Sequence, residues 1–151
     1  MATTFIKSVG NGENVICLHS SMSSSQQWQD LMQSLQHRYR VIAPDLHGYG
    51  CGPDWATGSA PTLEREVELL ADLFAELDGP MHLVGHSYGG AVAIKAAQIY
   101  GKRISSLSLY EPVIFSALLK ISPRQPASIE VIHLIEDVQR NYRRGDLFPE
   151  R

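Results

Sequence analysis

With 151 residues the chain is long enough to bury a real core and is read as one domain. Thirteen lysines and arginines stand against 16 aspartates and glutamates, a net of −3, and the basic residues are scattered except for Arg140, Arg143 and Arg144, which argues against a nucleic-acid partner. No apolar run approaches the roughly 18 residues that span a bilayer, and no basic-then-apolar leader occupies Met1 to Gly12, so the chain reads as cytoplasmic with no membrane partner.

In chain order, Phe5 to Val9 reads as a short strand, turned by Gly10, Asn11 and Gly12 into the continuous apolar run Asn14 to Leu18, a buried strand. A small-residue loop, His19 to Ser25, precedes Trp28, Leu31, Met32 and Leu35 at helical spacing. Tyr39 to Ala43 is a strand that runs into the glycine-rich loop Pro44 to Gly50. Thr62 is placed to cap a helix with Glu64 and Glu66 in its first turn and Leu63, Val67, Leu70, Phe74 and Leu77 on one face, ending before Gly79. Met81 to Val84 is a strand, and Ala91, Val92, Ile94, Ala96, Ala97 and Ile99 build a helix stopped near Gly101.

Ile104 to Leu109 reads as another strand, ending in Tyr110, Glu111 and Pro112. Pro112, Pro123 and Pro126 then bracket a loop with a short apolar insert, Val113 to Leu119. Ser128 caps a last amphipathic helix with Val131, Leu134, Ile135, Val138 and Tyr142 on one face and Gly145 beyond it. The alternation of strand and helix predicts an α/β fold with a mostly parallel sheet and helices on both faces. Cys17 and Cys51 have neither disulfide-like nor metal-ligand spacing, and the six histidines form no His-x-x-x-His pattern, so neither metal nor cofactor is expected.

Gly85-His86-Ser87-Tyr88-Gly89 falls between an apolar strand and a small-residue helix, the setting of a nucleophile elbow. A tight turn there lifts the Ser87 hydroxyl out of the backbone, with Gly85 and Gly89 relieving the crowding. The helix that follows aims unpaired amides and its positive end at the same point, where an acyl-transfer oxyanion needs donors.

His19 after a buried strand, Trp28, Pro-Asp-Leu-His-Gly-Tyr-Gly at 44–50 and Gly-His-Ser-Tyr-Gly-Gly at 85–90 together resemble the α/β-hydrolase superfamily, over residues 5–115 and in the family's order. The resemblance implies a partial α/β-hydrolase fold with the C-terminal strands missing: residues 1–115 the N-terminal part of the core, residues 116–151 the beginning of a cap. It implies a serine hydrolase of the esterase or acyl-hydrolase type, with Ser87 the nucleophile and a small-molecule, ester-like substrate. It also implies an oxyanion hole made by the amides of Tyr88 and Ser21, with Met22 the alternative to Ser21 because Ser20 stands where the family usually has glycine.

Glu111 has two readings. By the resemblance, the end of the strand after the elbow is one of two places for the triad acid; alternatively, Glu-Pro simply turns the chain. His19 reads as a loop-ordering histidine, Asp45 as an acceptor for local amides, and Trp28 and Tyr49 as packing residues that could line a pocket mouth. The family's base follows a last strand with no counterpart here. His133 is expected in a structural or exposed role, and His47, His82 and His86 would serve only in an unusual arrangement. The strand at Ile104 to Leu109 would be a sheet edge, open to self-association or to a second chain. The expected product is an incomplete hydrolase; a noncatalytic binding or assembly module that keeps the elbow by descent is the alternative.

Overall fold

The computed structural model describes residues 4–58 and 60–144. Five strands form one sheet: β1 (Ile6–Val9), β2 (Glu13–Leu18), β3 (Tyr39–Pro44), β4 (Met81–His86) and β5 (Ile104–Tyr110), in the spatial order β1-β3-β2-β4-β5. β1 runs antiparallel to β3, and every other neighbouring pair is parallel, with Ile16 opposite Ile42 and Leu83, and His86 opposite Tyr110.

The apolar run of β2 is explained by burial on both sides. Successive side chains point to opposite faces: Ile16 and Leu18 join one core cluster, Val15 and Cys17 another. The larger cluster lies under α2 (Leu63–Leu69), α3 (Ala71–Glu76) and α4 (Tyr88–Tyr100); the smaller is covered by Trp28 and by α1 (Gln29–Leu35) through Leu31, Met32 and Leu35. Phe74, fully buried, meets the Tyr100 ring edge-on at 4.9 Å. Burying each such side chain contributes about 2–3 kcal/mol, so the two clusters fix the strands that carry the loops above them.

Thr62 caps α2 as expected, its hydroxyl accepting from the Arg65 amide at 3.3 Å. The single helix expected from Leu63 to Leu77 is instead two. The Leu70 amide bonds back to the Val67 carbonyl at 3.2 Å, a tightened turn, and the helix resumes with Phe74 bonding to Leu70. Leu69 and Leu70 are both buried at this break. Arg103 closes the end of α3, donating to the carbonyls of Phe74 and Leu77.

A compact unit covers residues up to Val113, and a second begins at Ile114. The loop expected between Val113 and Leu119 is replaced by a helix, α5 (Phe115–Ile121). The last helix, α6, spans Pro126–Arg144 and begins before its expected cap. Pro126 suits a first helical position, where its fixed φ helps and its missing N–H costs nothing. Ser128 lies inside the helix and is buried, its hydroxyl donating to the Ser122 carbonyl at 2.5 Å. The side chains of Val138 and Tyr142 and the whole of Gly145 lie outside the described residues.

β5 is an edge of the sheet, and Leu107, Leu109 and Tyr110 are exposed on it. Both thiols are free: Cys17 is buried, which pushes its pKa up to about 12, and Cys51 is exposed. Among the described residues no helix is long and apolar enough to cross a membrane, and no group of three His, Cys, Asp or Glu side chains could hold a metal ion.

Candidate active site

The elbow forms where β4 gives way to α4. Ser87 takes φ +51, a left-handed conformation rare for a serine, at the tip of this strand-to-helix turn. Its neighbours must be small. A Cβ on Gly85 would come within 2.6 Å of the Gly89 carbonyl oxygen, and one on Gly89 would run into the Leu18 and His19 carbonyl oxygens. The first turn of α4 therefore sits directly against the backbone that leads from β2 to Ser21.

The backbone of Ser87 is tied down on the other side too. Its N–H donates to the Tyr110 carbonyl at 3.0 Å, and its carbonyl accepts from Val113 at 3.1 Å and from Ala91 at 3.2 Å. Glu111 lies between those two attachments at φ +43, exposed, so the segment 110–113 is joined to Ser87 through the main chain. Tyr88 is the first residue of α4, and the first-turn amides of a helix have no partner within it.

Beneath the elbow lies a buried polar network. Glu66, fully buried, accepts from the Tyr88 hydroxyl at 2.8 Å on Oε1, and from the His47 backbone N–H at 3.2 Å and the His47 ring Nδ1 at 3.0 Å on Oε2. His47 stacks on Trp55 with ring centres 4.3 Å apart. Burial first, and then the Glu66 carboxylate, raise the pKa of the Tyr88 phenol above its ordinary value, so it stays a hydrogen-bond donor.

His19 is fully buried and ordered by the loop that follows β3. The Leu46 backbone N–H, which can only donate, reaches Nε2 at 3.0 Å, so Nδ1 carries the proton and donates to the Ser20 carbonyl at 2.8 Å. Burial pushes its pKa below the ordinary value, against smaller opposing contributions from Ser20, Asp45 and Glu66. Asp45 accepts from the Ser25 amide at 2.6 Å and the Cys51 amide at 2.8 Å. Burial opposes its charge, but these amides outweigh that and hold the carboxyl below its usual range. Tyr49 packs against the rings of His19 and Tyr88. Trp28 lines a cavity of about 540 Å³ with Val84, His86 and Tyr110, and its indole N–H is buried with no hydrogen-bond partner among the described residues.

Ser21 and Met22 form an exposed turn beyond His19, with Met22 at φ +58. Among the described residues of the first unit no histidine hydrogen-bonds to the Ser87 hydroxyl. His47 is committed to Glu66, His86 to Gln27 at 2.9 Å, and His82 to Ser106 at 2.8 Å and Glu13 at 3.2 Å. His133 is exposed in the second unit.

Sequence reading missed Glu66 and Gln27 as site residues. For Glu66 a signal existed: it stands four residues before Leu70 on the apolar face of α2, where a carboxylate needs a reason. Gln27 carried none.

The model of a family described as "Alpha/beta hydrolase family" matches residues 15–150. A pimeloyl-[acyl-carrier protein] methyl ester esterase of Nitrosomonas europaea is 35% identical over 109 residues, covering 72% of this chain and 41% of that protein. Lipase LipV of Mycobacterium tuberculosis is 36% identical over 102 residues, covering 66% of this chain and 37% of its own. A thermophilic esterase from Thermogutta terrifontis superposes with a TM-score of 0.64 at 28% identity, covering 72% of this chain and 40% of that one. The chain thus spans about two fifths of the length of these relatives. The parallel sheet, the elbow at Ser87 and a family match over most of its length agree: this chain belongs to the alpha/beta hydrolase family.

Proposed function

We propose that these residues carry the nucleophile side of a serine hydrolase of the esterase or acyl-hydrolase type, acting on a small-molecule ester-like substrate. The observation that supports it most is the setting of Ser87: left-handed at a strand-to-helix turn, its backbone pinned on both sides, beside unpaired amides of α4. Relatives named as esterases and a lipase support the same class. Ser87 Oγ bonds to the substrate carbonyl carbon while its proton passes to a base, and the carbonyl electron pair moves onto oxygen. The amides of Tyr88 and Ser21 hold that oxyanion. Collapse expels the alcohol, which takes the proton, and water then releases the acid by the same route in reverse order. Glu111 is the acid candidate, and residues 116–151 begin a cap.

A fluorophosphonate probe tests the reading. It should label the protein once, as read by intact mass, and Ser87→Ala should abolish the adduct.

A second reading is a noncatalytic binding or assembly module. It is favoured by the lack of any histidine hydrogen-bonded to Ser87 among the described residues of the first unit and by the open edge at β5, a surface for self-association or a second chain. No labelling even at high pH, together with concentration-dependent association by light scattering, would favour this reading over the first.

A further inference from the structure

The two amides assigned to the oxyanion come from separate parts of the chain, the turn after β2 and the start of α4, and catalysis depends on their separation. Gln27 bridges the two. It lies in the single helical turn Ser25–Trp28, anchored by the Ser25 amide on Asp45. Its Oε1 accepts from the Ser20 backbone N–H and from the Ser20 hydroxyl, each at 3.0 Å. Its Nε2 lies 2.9 Å from Nδ1 of His86.

The orientation of this amide is dictated by its partners. A backbone N–H can only donate, so the oxygen faces Ser20 and the NH₂ group must face His86, whose Nδ1 therefore accepts. One side chain thus ties the residue before Ser21 to the residue before Ser87. Ser20 stands where the family usually has glycine, and its hydroxyl is one of the two groups on the Gln27 oxygen. The departure from glycine and the bridge are parts of one arrangement.

We propose that Gln27 is a positioning residue, which acts through Ser20 and His86 to fix the separation of the Ser21 and Tyr88 amides before substrate arrives. Its role in catalysis rests on the reading of Ser87 as nucleophile; the clamp itself does not. Gln27→Met keeps the length of the side chain and removes all three bonds, whereas Gln27→Glu keeps an acceptor for Ser20 and, with the His86 proton on Nδ1, accepts from His86 as well.

Two measurements separate the claims. In ¹⁵N relaxation, the native Ser20 and Ser21 amides should be nearly as ordered as β2 and β4; in Gln27→Met their order parameters should fall below about 0.6 while the strands stay near 0.85. Gln27→Glu, which rebuilds the bridge, should stay near the native values, and Gln27→Leu, which also removes all three bonds, carries the comparison should the Met variant fail to fold. In fluorophosphonate labelling, Gln27→Met should lower kinact by roughly ten- to a hundredfold with KI unchanged. Unchanged order at Ser20 and Ser21 overturns the clamp. Loosened order with an unchanged kinact overturns the positioning role. Failure to label the native protein overturns the Ser87 reading alone, and the relaxation result still decides for or against the clamp.

Discussion

Ser87 and Ser106 stand at opposite ends of the same strand pair, and each has what the other lacks. Ser106, near the start of β5, pairs in register with His82 of β4. Its hydroxyl lies 2.8 Å from Nδ1 of His82, whose Nε2 lies 3.2 Å from a Glu13 carboxylate oxygen. Because the carboxylate only accepts, the chain of donors in the neutral form runs from serine to histidine to glutamate, the polarity of a catalytic triad. Ser87, just past the end of β4, has no such relay. It has instead a strained turn, unpaired helix amides and a buried polar support. A hydrogen-bonded serine is not thereby a presented one. In parallel sheets the loops beyond the strands' carboxyl ends are free to build a site, whereas the opposite ends are not.

The support under Ser87 depends most on Glu66. Its carboxylate is buried and has three donors, so Glu66→Ala leaves the Tyr88 hydroxyl and both His47 groups without an acceptor. Each unsatisfied buried group costs about 1–3 kcal/mol, so a loss of about 3 kcal/mol or more is expected in urea unfolding. Glu66→Gln should cost about 1 kcal/mol, because its oxygen can face His47 while its NH₂ donates to a Tyr88 hydroxyl turned acceptor. Equal losses for the two variants would mean that the carboxylate charge, which both remove, sets the effect rather than the number of acceptors.

Much of this was legible in the sequence, for physical reasons that differ by region. β2 announces itself because a strand buried on both faces is continuously apolar, and the elbow because Gly85 and Gly89 flank a serine between an apolar strand and a small-residue helix. The loop at 44–50 marks Asp45 as an amide acceptor because a short carboxylate in a turn bonds nearby main-chain N–H groups. What stayed hidden depends on tertiary partners. The break at Leu70 leaves no mark in the apolar spacing, and α6 starts at Pro126, ahead of the cap that local spacing puts at Ser128. Gln27 has no signature because its two partners, Ser20 and His86, are brought to it only by the sheet.

A smaller effect should follow pH, and it reports on the loop beside Ser21. His19 has a folded pKa held below 6.5, so the unfolded chain binds the proton first. Stability from the neutral, buried ring is fully present above pH 6.5 and is lost as pH falls from there toward the folded value. Asp45 is shifted the same way below 3.8, so its contribution is present above that pH and lost beneath it. Thermal melts should therefore show a decline that starts near pH 6.5 and a second near 3.8. His19→Gln should lower Tm at pH 7 and remove the first decline; a first decline that survives the substitution would mean another group causes it.

The least effect is expected at the relay that looks most like machinery. His82 has a quarter of its side chain exposed and Glu13 well over half, so water can replace each bond that the relay makes. Pairs of this kind contribute about 0–1 kcal/mol, and His82→Ala should change stability by less than about 0.5 kcal/mol. Ser106 sits within a strand, with no helix start beside it to hold an oxyanion. Ser106→Ala and His82→Ala should therefore leave fluorophosphonate labelling at its native rate, with peptide mapping putting the adduct on Ser87. An adduct on Ser106, or labelling lost in His82→Ala, would reverse the assignment and show that an aligned base can outweigh a presented hydroxyl.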